Sequence, residues 1–240
     1  MLKLCVIGDP VSHSLSPILH REMMTQVGID GTYEAVTVTA EELADFVAAA
    51  KAGGYDGFNV TMPHKENIIP LLDELAPSAQ TMGAVNTVVV RQGRVIGYNT
   101  DGDGLVRSLS ELPKKAMVLG NGGAAKAVSR TLRQNGVEVV ICARHPAEEQ
   151  VPWCEMESAV ADCGLLVNAT CLGMTGKEKF TDFGFLKSLP ENAVVYDLVY
   201  EPRETELLRQ AKILCRPTVE GFTLLKSQAE LAFTIFTTEK

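Results

Sequence analysis

One short stretch limits what this chain can become. Ala116-Met117-Val118-Leu119 is an apolar run of strand length, and Gly120-Asn121-Gly122-Gly123-Ala124-Ala125 follows it at once. Residues 126–134 then carry a helical pattern. In a loop of this form the first glycine permits a tight turn. The second lets a backbone approach a pyrophosphate, and the last small residue lets the helix pack close to the strand. The helix N-terminus offers free N–H groups and positive dipole to an anion. A parallel α/β unit that cradles a dinucleotide is the expectation; a bare strand–helix turn is the alternative.

The rest of the chain supports that class. Short runs rich in Val and Ile read as buried strands at 4–7, 35–38, 58–60, 137–141, 165–167 and 194–196. Helical stretches lie between them: one after Pro17, one at 41–51 ended by Gly53-Gly54, and one at 103–112. Strands alternating with helices argue for parallel α/β units. The stretch 85–98 differs, and reads as a hairpin turning at Gln92-Gly93. A domain boundary is placed near Asp101, with the 103–112 helix as connector. The tail, 221–236, is a long amphipathic helix that suits either domain.

Composition removes several classes. The 240 residues are 46% hydrophobic and 22% charged, as in an ordinary globular protein. No apolar run reaches the roughly 18 residues of a membrane helix, and the N-terminus lacks the features of a signal peptide. Net charge is −8, with Lys and Arg scattered and aromatics at 6%, so a nucleic-acid grip is not expected. The cysteines, Cys5, Cys142, Cys154, Cys163, Cys171 and Cys215, form no C-x-x-C pair. They read as reduced thiols of a cytoplasmic protein, with no metal site.

Four polar clusters lie in the first hundred residues, each beside an apolar strand. They are Ser12-His13-Ser14-Leu15-Ser16-Pro17, Asn59-Val60-Thr61-Met62-Pro63-His64-Lys65-Glu66, Gly83-Ala84-Val85-Asn86-Thr87 and Asn99-Thr100-Asp101-Gly102. Singly, each has a plain reading. Ser16 is a candidate N-cap, Asn99 and Asp101 suit a turn, and Lys65 suits a solvated helix face. Together they supply hydroxyls, amides, one cation and one carboxylate beside a dinucleotide domain. That set suits a small polyhydroxylated acid and a hydride transfer.

These clusters, in this order, resemble the shikimate dehydrogenase family. The resemblance runs nearly end to end, and takes in Asn168-Ala169-Thr170, Gly173-Met174, Asp197-Leu198-Val199-Tyr200 and Gln228. It implies a two-domain α/β fold. The N-terminal α/β substrate domain, 1–101, would be joined by the C-terminal helix, 219–240, and a Rossmann-like NADP-binding domain would span 102–218. It implies an oxidoreductase acting on a CH–OH group: NADP(H)-dependent, reversible reduction of 3-dehydroshikimate to shikimate, in aromatic amino-acid biosynthesis. Lys65 would be the general acid/base, paired with Asp101. Ser14 and Ser16 would bind the substrate carboxylate, with Tyr200 near it. Asn59, Thr61, Asn86, Asp101 and Gln228 would hold the ring hydroxyls. Gly120, Asn121, Gly122, Gly123, Ala124 and Ala125 would cradle the cofactor, with Ala143, Arg144 and His145 at its adenosine end. Asn168, Thr170, Met174, Leu198 and Gly221 would line the nicotinamide side.

The chain departs from the family pattern at the second nucleotide-domain strand. The family usually carries Asn-Arg-Thr there and a further Arg a few residues on. Here the positions read Ala143-Arg144-His145, with Glu148 near the place of the further Arg. Arg144 favours NADP through its 2′-phosphate, while Glu148 and Glu149 erode that preference, so NAD remains possible. Asn121 also stands where the family commonly has Ala. The rival readings are an NAD-dependent quinate/shikimate dehydrogenase and a non-catalytic ligand-sensing homologue. Monomer and homodimer are both open.

Overall fold

Residues 1–238 are described by a computed structural model. Strand β1 (Leu2–Gly8) leads through a loop to α1 (Ser16–Gln26), followed by β2 (Gly31–Thr37), α2 (Leu43–Ala49), β3 (Gly57–Val60), α3 (His64–Asn67), β4 (Glu74–Leu75) and α4 (Pro77–Met82). The hairpin β5 (Thr87–Arg91) and β6 (Arg94–Tyr98) then feeds α5 (Asp101–Arg107). The second half runs β7 (Lys115–Leu119), α6 (Gly123–Gln134), β8 (Glu138–Ala143), β9 (Val151–Pro152), α7 (Met156–Ala159), β10 (Leu165–Asn168) and α8 (Phe185–Ser188). It ends with β11 (Val194–Asp197), α9 (Glu206–Ile213), β12 (Thr218–Val219) and α10 (Gly221–Thr238).

The chain forms two compact units. One is residues 1–104 with the chain from Gln228 onward, and the other is Leu105–Ser227. The expected junctions, after 101 and after 218, precede these; both observed junctions fall inside helices, α5 and α10. Each part of α10 packs with its own unit: Leu224 joins a core with Val219 and Tyr196, and Phe233 and Phe236 join one with Leu4 and Tyr33. Positions 239 and 240 of the expected tail helix lie outside the described residues. No helix among the described residues is long and apolar enough to cross a membrane.

The first unit's sheet has the order β2-β1-β3-β5-β6-β4. It is mixed rather than purely parallel: β1 pairs parallel with β2 and β3, whereas β3–β5 and β5–β6 are antiparallel. The hairpin accounts for the β5–β6 pairing. Gln92 and Gly93 both take positive φ, 48° and 74°, as a tight two-residue turn demands. Side chains alternate across the sheet. Cys5, Ile7, Phe58 and Val88 fill one apolar layer, while Leu4, Val6, Tyr33 and Val89 fill the other. Burial on both faces explains why these strands read as continuous apolar runs.

The second unit's sheet has the order β12-β11-β10-β7-β8-β9, with parallel pairing throughout. Met117, Leu119 and Leu166 pack on one face, and Ala116, Val118 and Val167 on the other. Helix α5 begins two residues earlier than the 103–112 expected and ends at Arg107. The side chain of Asn99 accepts from the Asp101 N–H at 3.0 Å, which starts the helix there. Ser108 Oγ bonds the Leu105 carbonyl and meets the Tyr196 hydroxyl at 2.7 Å, so the chain turns instead of continuing.

Candidate active site

In the first unit, the segments after the strands bring three of the four polar clusters, those of Lys65, Asn86 and Asp101, into one hydrogen-bonded chain. Lys65, on α3, places its Nζ 2.7 Å from Asp101 Oδ2. The other oxygen of Asp101 accepts from Asn86 Nδ2 at 2.9 Å. Asn86, at the entry to β5, is nearly buried, and its Oδ1 accepts from the Thr100 N–H and from Thr87 Oγ. Gln228 Oε1 lies 3.5 Å from Asn86 Nδ2 and 3.4 Å from Thr100 Oγ. The carboxylate is thus oriented by an amide on one oxygen and presents the other to the ammonium. Both members of the ion pair stay about a third exposed, at 32% and 28%.

Asn59 sits differently from the expectation. It is 7% exposed, and both its N–H groups are used, on the Asn86 carbonyl at 2.9 Å and Thr87 Oγ at 3.0 Å. Its oxygen accepts from the Tyr33 hydroxyl at 2.7 Å. Strand β3 faces β5 here, with Asn59 opposite Thr87, so the amide is spent on holding the two strand ends together. No N–H of Asn59 is left for a ring hydroxyl. The Thr61 hydroxyl, two residues on, has no protein partner among the described residues, while its backbone N–H bonds the Ile7 carbonyl.

Ser14 and Ser16 flank the start of α1. The N-cap position belongs to Leu15, without a side-chain cap bond, so Ser16 is the first helical residue and not the cap. Ser14 Oγ accepts from the Ser16 N–H at 3.2 Å. Ser16 is buried, with its hydroxyl beside that of Tyr33. Tyr33 is the residue that sequence reasoning missed: its hydroxyl donates to Asn59 Oδ1. His20 stacks on the Tyr33 ring at 4.3 Å, and burial pushes its imidazole down to about 3, so it packs as a neutral ring. Tyr33 lies two residues before the apolar run at 35–38, and the strand that holds it, Gly31–Thr37, starts earlier than the sequence pattern shows.

In the second unit, the loop after β7 has the shape the sequence requires. Gly120 takes φ +102° and lies against Thr170, with any added Cβ 3.0 Å from Thr170 Cγ2. Around Gly122 and Gly123 a Cβ would meet nothing within 4 Å, and no side chain caps α6. Ala125 is fully buried on Val118, the close helix–strand approach its size allows. Open backbone at an uncapped helix N-terminus fits a pyrophosphate. Asn121 ties the loop down, donating to the His145 carbonyl at 2.9 Å and Gln150 Oε1 at 3.3 Å. Ala143 is buried at the end of β8, and His145 and Ala124 are exposed.

Arg144 is exposed, and its Nη1 meets Glu178 Oε2 at 2.7 Å. The carboxylate that engages Arg144 is therefore Glu178, from the segment after β10, and not Glu148. Asn168 is fully buried and spends its amide inside the unit: Nδ2 on Asp197 Oδ1 at 2.8 Å and on the Leu172 carbonyl, Oδ1 receiving Thr170 Oγ at 2.6 Å. It fixes the path of the Thr170 segment instead of facing a ligand. Asp197 also accepts from Thr205 Oγ and the Val199 N–H, yet burial outweighs these bonds and pushes its carboxyl above the ordinary aspartate value. Gly221 is a close-approach glycine: a Cβ there would lie 2.5 Å from the Leu198 carbonyl oxygen. Leu198 bonds the Asn168 carbonyl through its N–H, and Met174 and Tyr200 are exposed side chains on neighbouring loops. Among the described residues, no cluster of His, Cys, Asp or Glu has the arrangement of a metal site.

A parallel sheet with an open glycine loop, together with a lysine–carboxylate pair in a polar network, defines a nicotinamide-dependent oxidoreductase. Comparison with known proteins makes the class particular. Residues 6–88 match the family described as the shikimate dehydrogenase substrate binding domain. A shikimate dehydrogenase (NADP(+)) of Methylocella silvestris is 39% identical over 247 residues, covering 95% of this chain and 88% of that protein. The crystal structure of shikimate 5-dehydrogenase from Thermus thermophilus, in complex with NADP(H) and shikimate, is 37% identical with a TM-score of 0.88, covering 99% of this chain and 94% of that one. The Listeria monocytogenes enzyme, in complex with shikimate and NAD, is 31% identical with a TM-score of 0.89, covering 100% and 93%. The chain belongs to the shikimate dehydrogenase family.

Proposed function

We propose that this chain is an NADP-dependent shikimate dehydrogenase, which reversibly reduces 3-dehydroshikimate to shikimate in the route to the aromatic amino acids. The observation that carries the reading is the Lys65–Asp101 pair at 2.7 Å, held by Asn86. NADP(H), when bound, supplies or accepts the hydride. Lys65 supplies the proton to the nascent alkoxide and takes it back in the reverse direction. Its ammonium also stabilises the developing negative charge on that oxygen. Asp101 keeps the Lys65 amine aimed. A positioned acid/base of this kind contributes about 10²–10⁴-fold.

Ser14 and Ser16 offer hydroxyl donors to the substrate carboxylate, with Tyr200 contributing near it. Thr61, Asn86 and Gln228 address the ring hydroxyls. Asn59 serves as the strut behind them, since both its N–H groups are spent on the protein. Gly120 to Ala125 receive the pyrophosphate, Arg144 the 2′-phosphate, with Ala143 and His145 flanking it. Thr170, Met174, Leu198 and Gly221 shape the nicotinamide end, and Asn168 holds that loop. A cytoplasmic setting accords with six free cysteines.

The test is turnover with shikimate and with quinate, each with NADP and NAD. The expected result is turnover of shikimate with NADP at the highest kcat/KM of the four pairings. A higher kcat/KM for quinate, or for NAD with shikimate, overturns the assignment.

A further inference from the structure

We infer that Glu178 is a specificity-determining residue, a carboxylate that competes with the cofactor's 2′-phosphate for the Arg144 guanidinium. The inference rests on the NADP-dependent reading above. Arg144 directly follows β8, the second strand of the dinucleotide fold, where the residue that reads the ribose 2′ position stands. Its Nη1 is engaged by Glu178 Oε2 at 2.7 Å.

The position of Glu178 is built by its own segment. Its carbonyl accepts from the Gly173 N–H at 2.8 Å, and the Lys177 N–H bonds the Met174 carbonyl at 3.0 Å. Gly176 takes φ +77° and so permits the turn between these bonds. On the other side, Phe180 stacks on Trp153 at 6.0 Å and touches Phe183 and Phe185. The backbone on both sides of Glu178 is thereby held where the carboxylate meets Arg144. A cavity of about 770 Å³ opens beside the pair, lined by Arg144, Trp153, Glu178, Lys179 and Phe180 among others.

The ion pair is solvent-exposed, at 59% and 70%. Arg144 is therefore held, yet releasable. A 2′-phosphate must take the guanidinium from Glu178 and then sit near the displaced negative charge. A 2′-hydroxyl carries no charge and meets neither obstacle. Glu178 thus penalises NADP selectively and leaves NAD nearly untouched.

The experiment measures binding of NADPH and NADH to wild type, Glu178→Gln, Arg144→Ala and the double variant, by calorimetry without substrate. Glu178→Gln is expected to tighten NADPH about fivefold, the order of one exposed ion pair, and to change NADH less than about twofold. The gain shrinks at high salt, since exposed charges are screened. With Arg144→Ala in place, the Glu178→Gln gain falls markedly, which separates competition for Arg144 from a loop made looser. An unchanged NADPH/NADH ratio in Glu178→Gln, with wild type binding NADPH, overturns the inference alone. Failure of wild type to bind NADPH overturns the NADP-dependent reading itself.

Discussion

Truncating Lys65 separates catalysis from folding, because the structure gives the two very different magnitudes. The Lys65–Asp101 pair is about a third exposed, so its loss costs at most about 1 kcal/mol of stability after solvent screening. Asp101 keeps its bond from Asn86 Nδ2 at 2.9 Å, and solvent reaches the oxygen that Lys65 leaves. At about 2–4 °C per kcal/mol for a chain of this size, Lys65→Ala melts within a few degrees of wild type. If Lys65 has the proposed role, the chemical step loses its proton donor and the ammonium beside the alkoxide. A loss of about 10²–10⁴-fold in kcat corresponds to about 3–5.5 kcal/mol of barrier. In the proposed function the substrate's hydroxyl and carboxylate contacts come from other residues, so KM for shikimate is expected to change less than about threefold. The assay is steady-state reduction of NADP by shikimate, beside a thermal melt of the same sample. A kcat within about threefold of wild type refutes the role of Lys65, and lost activity with a melt far below wild type refutes the separation.

Asn59→Ala should act through stability first. It strands the buried Tyr33 hydroxyl, at about 1–3 kcal/mol, while the Asn86 carbonyl keeps its bond from the Val60 N–H at 2.9 Å; a urea midpoint shifted by the equivalent of under about 1 kcal/mol would show that the strut is not needed. Asp197 makes a pH prediction. Burial raises its folded pKa above 3.8, so the native state binds the proton more readily than the unfolded chain. Its contribution to stability is therefore fully present below 3.8 and is lost as pH rises through the folded value. Asp197→Asn removes that slope, and stability curves at a series of pH values that stay parallel for wild type and variant would contradict the assignment.

The elements legible in the sequence are those fixed by local conformational preference. The strand–glycine loop–helix from Ala116 to Gln134 was readable because a tight turn needs Gly120 at φ +102°, and an anion cradle needs small residues around an uncapped helix end. The Gln92-Gly93 hairpin was readable for the same kind of reason. The polar clusters that carry Lys65, Asn86 and Asp101 stood out because such residues lie beside apolar strands only where something holds them. What each side chain bonds to was decided by the tertiary structure. Asn59 and Asn168 look like ligand-binding amides in a motif, yet packing gives their N–H groups to the protein. Glu148 is near Arg144 in sequence, but the loop after β10 delivers Glu178 to it instead. The antiparallel reversal at β3–β5 and the passage of α10 from one unit to the other follow from long-range burial. Turn and helix signals act over a few residues, whereas these pairings join distant segments, and only the packed core brings them within hydrogen-bond reach.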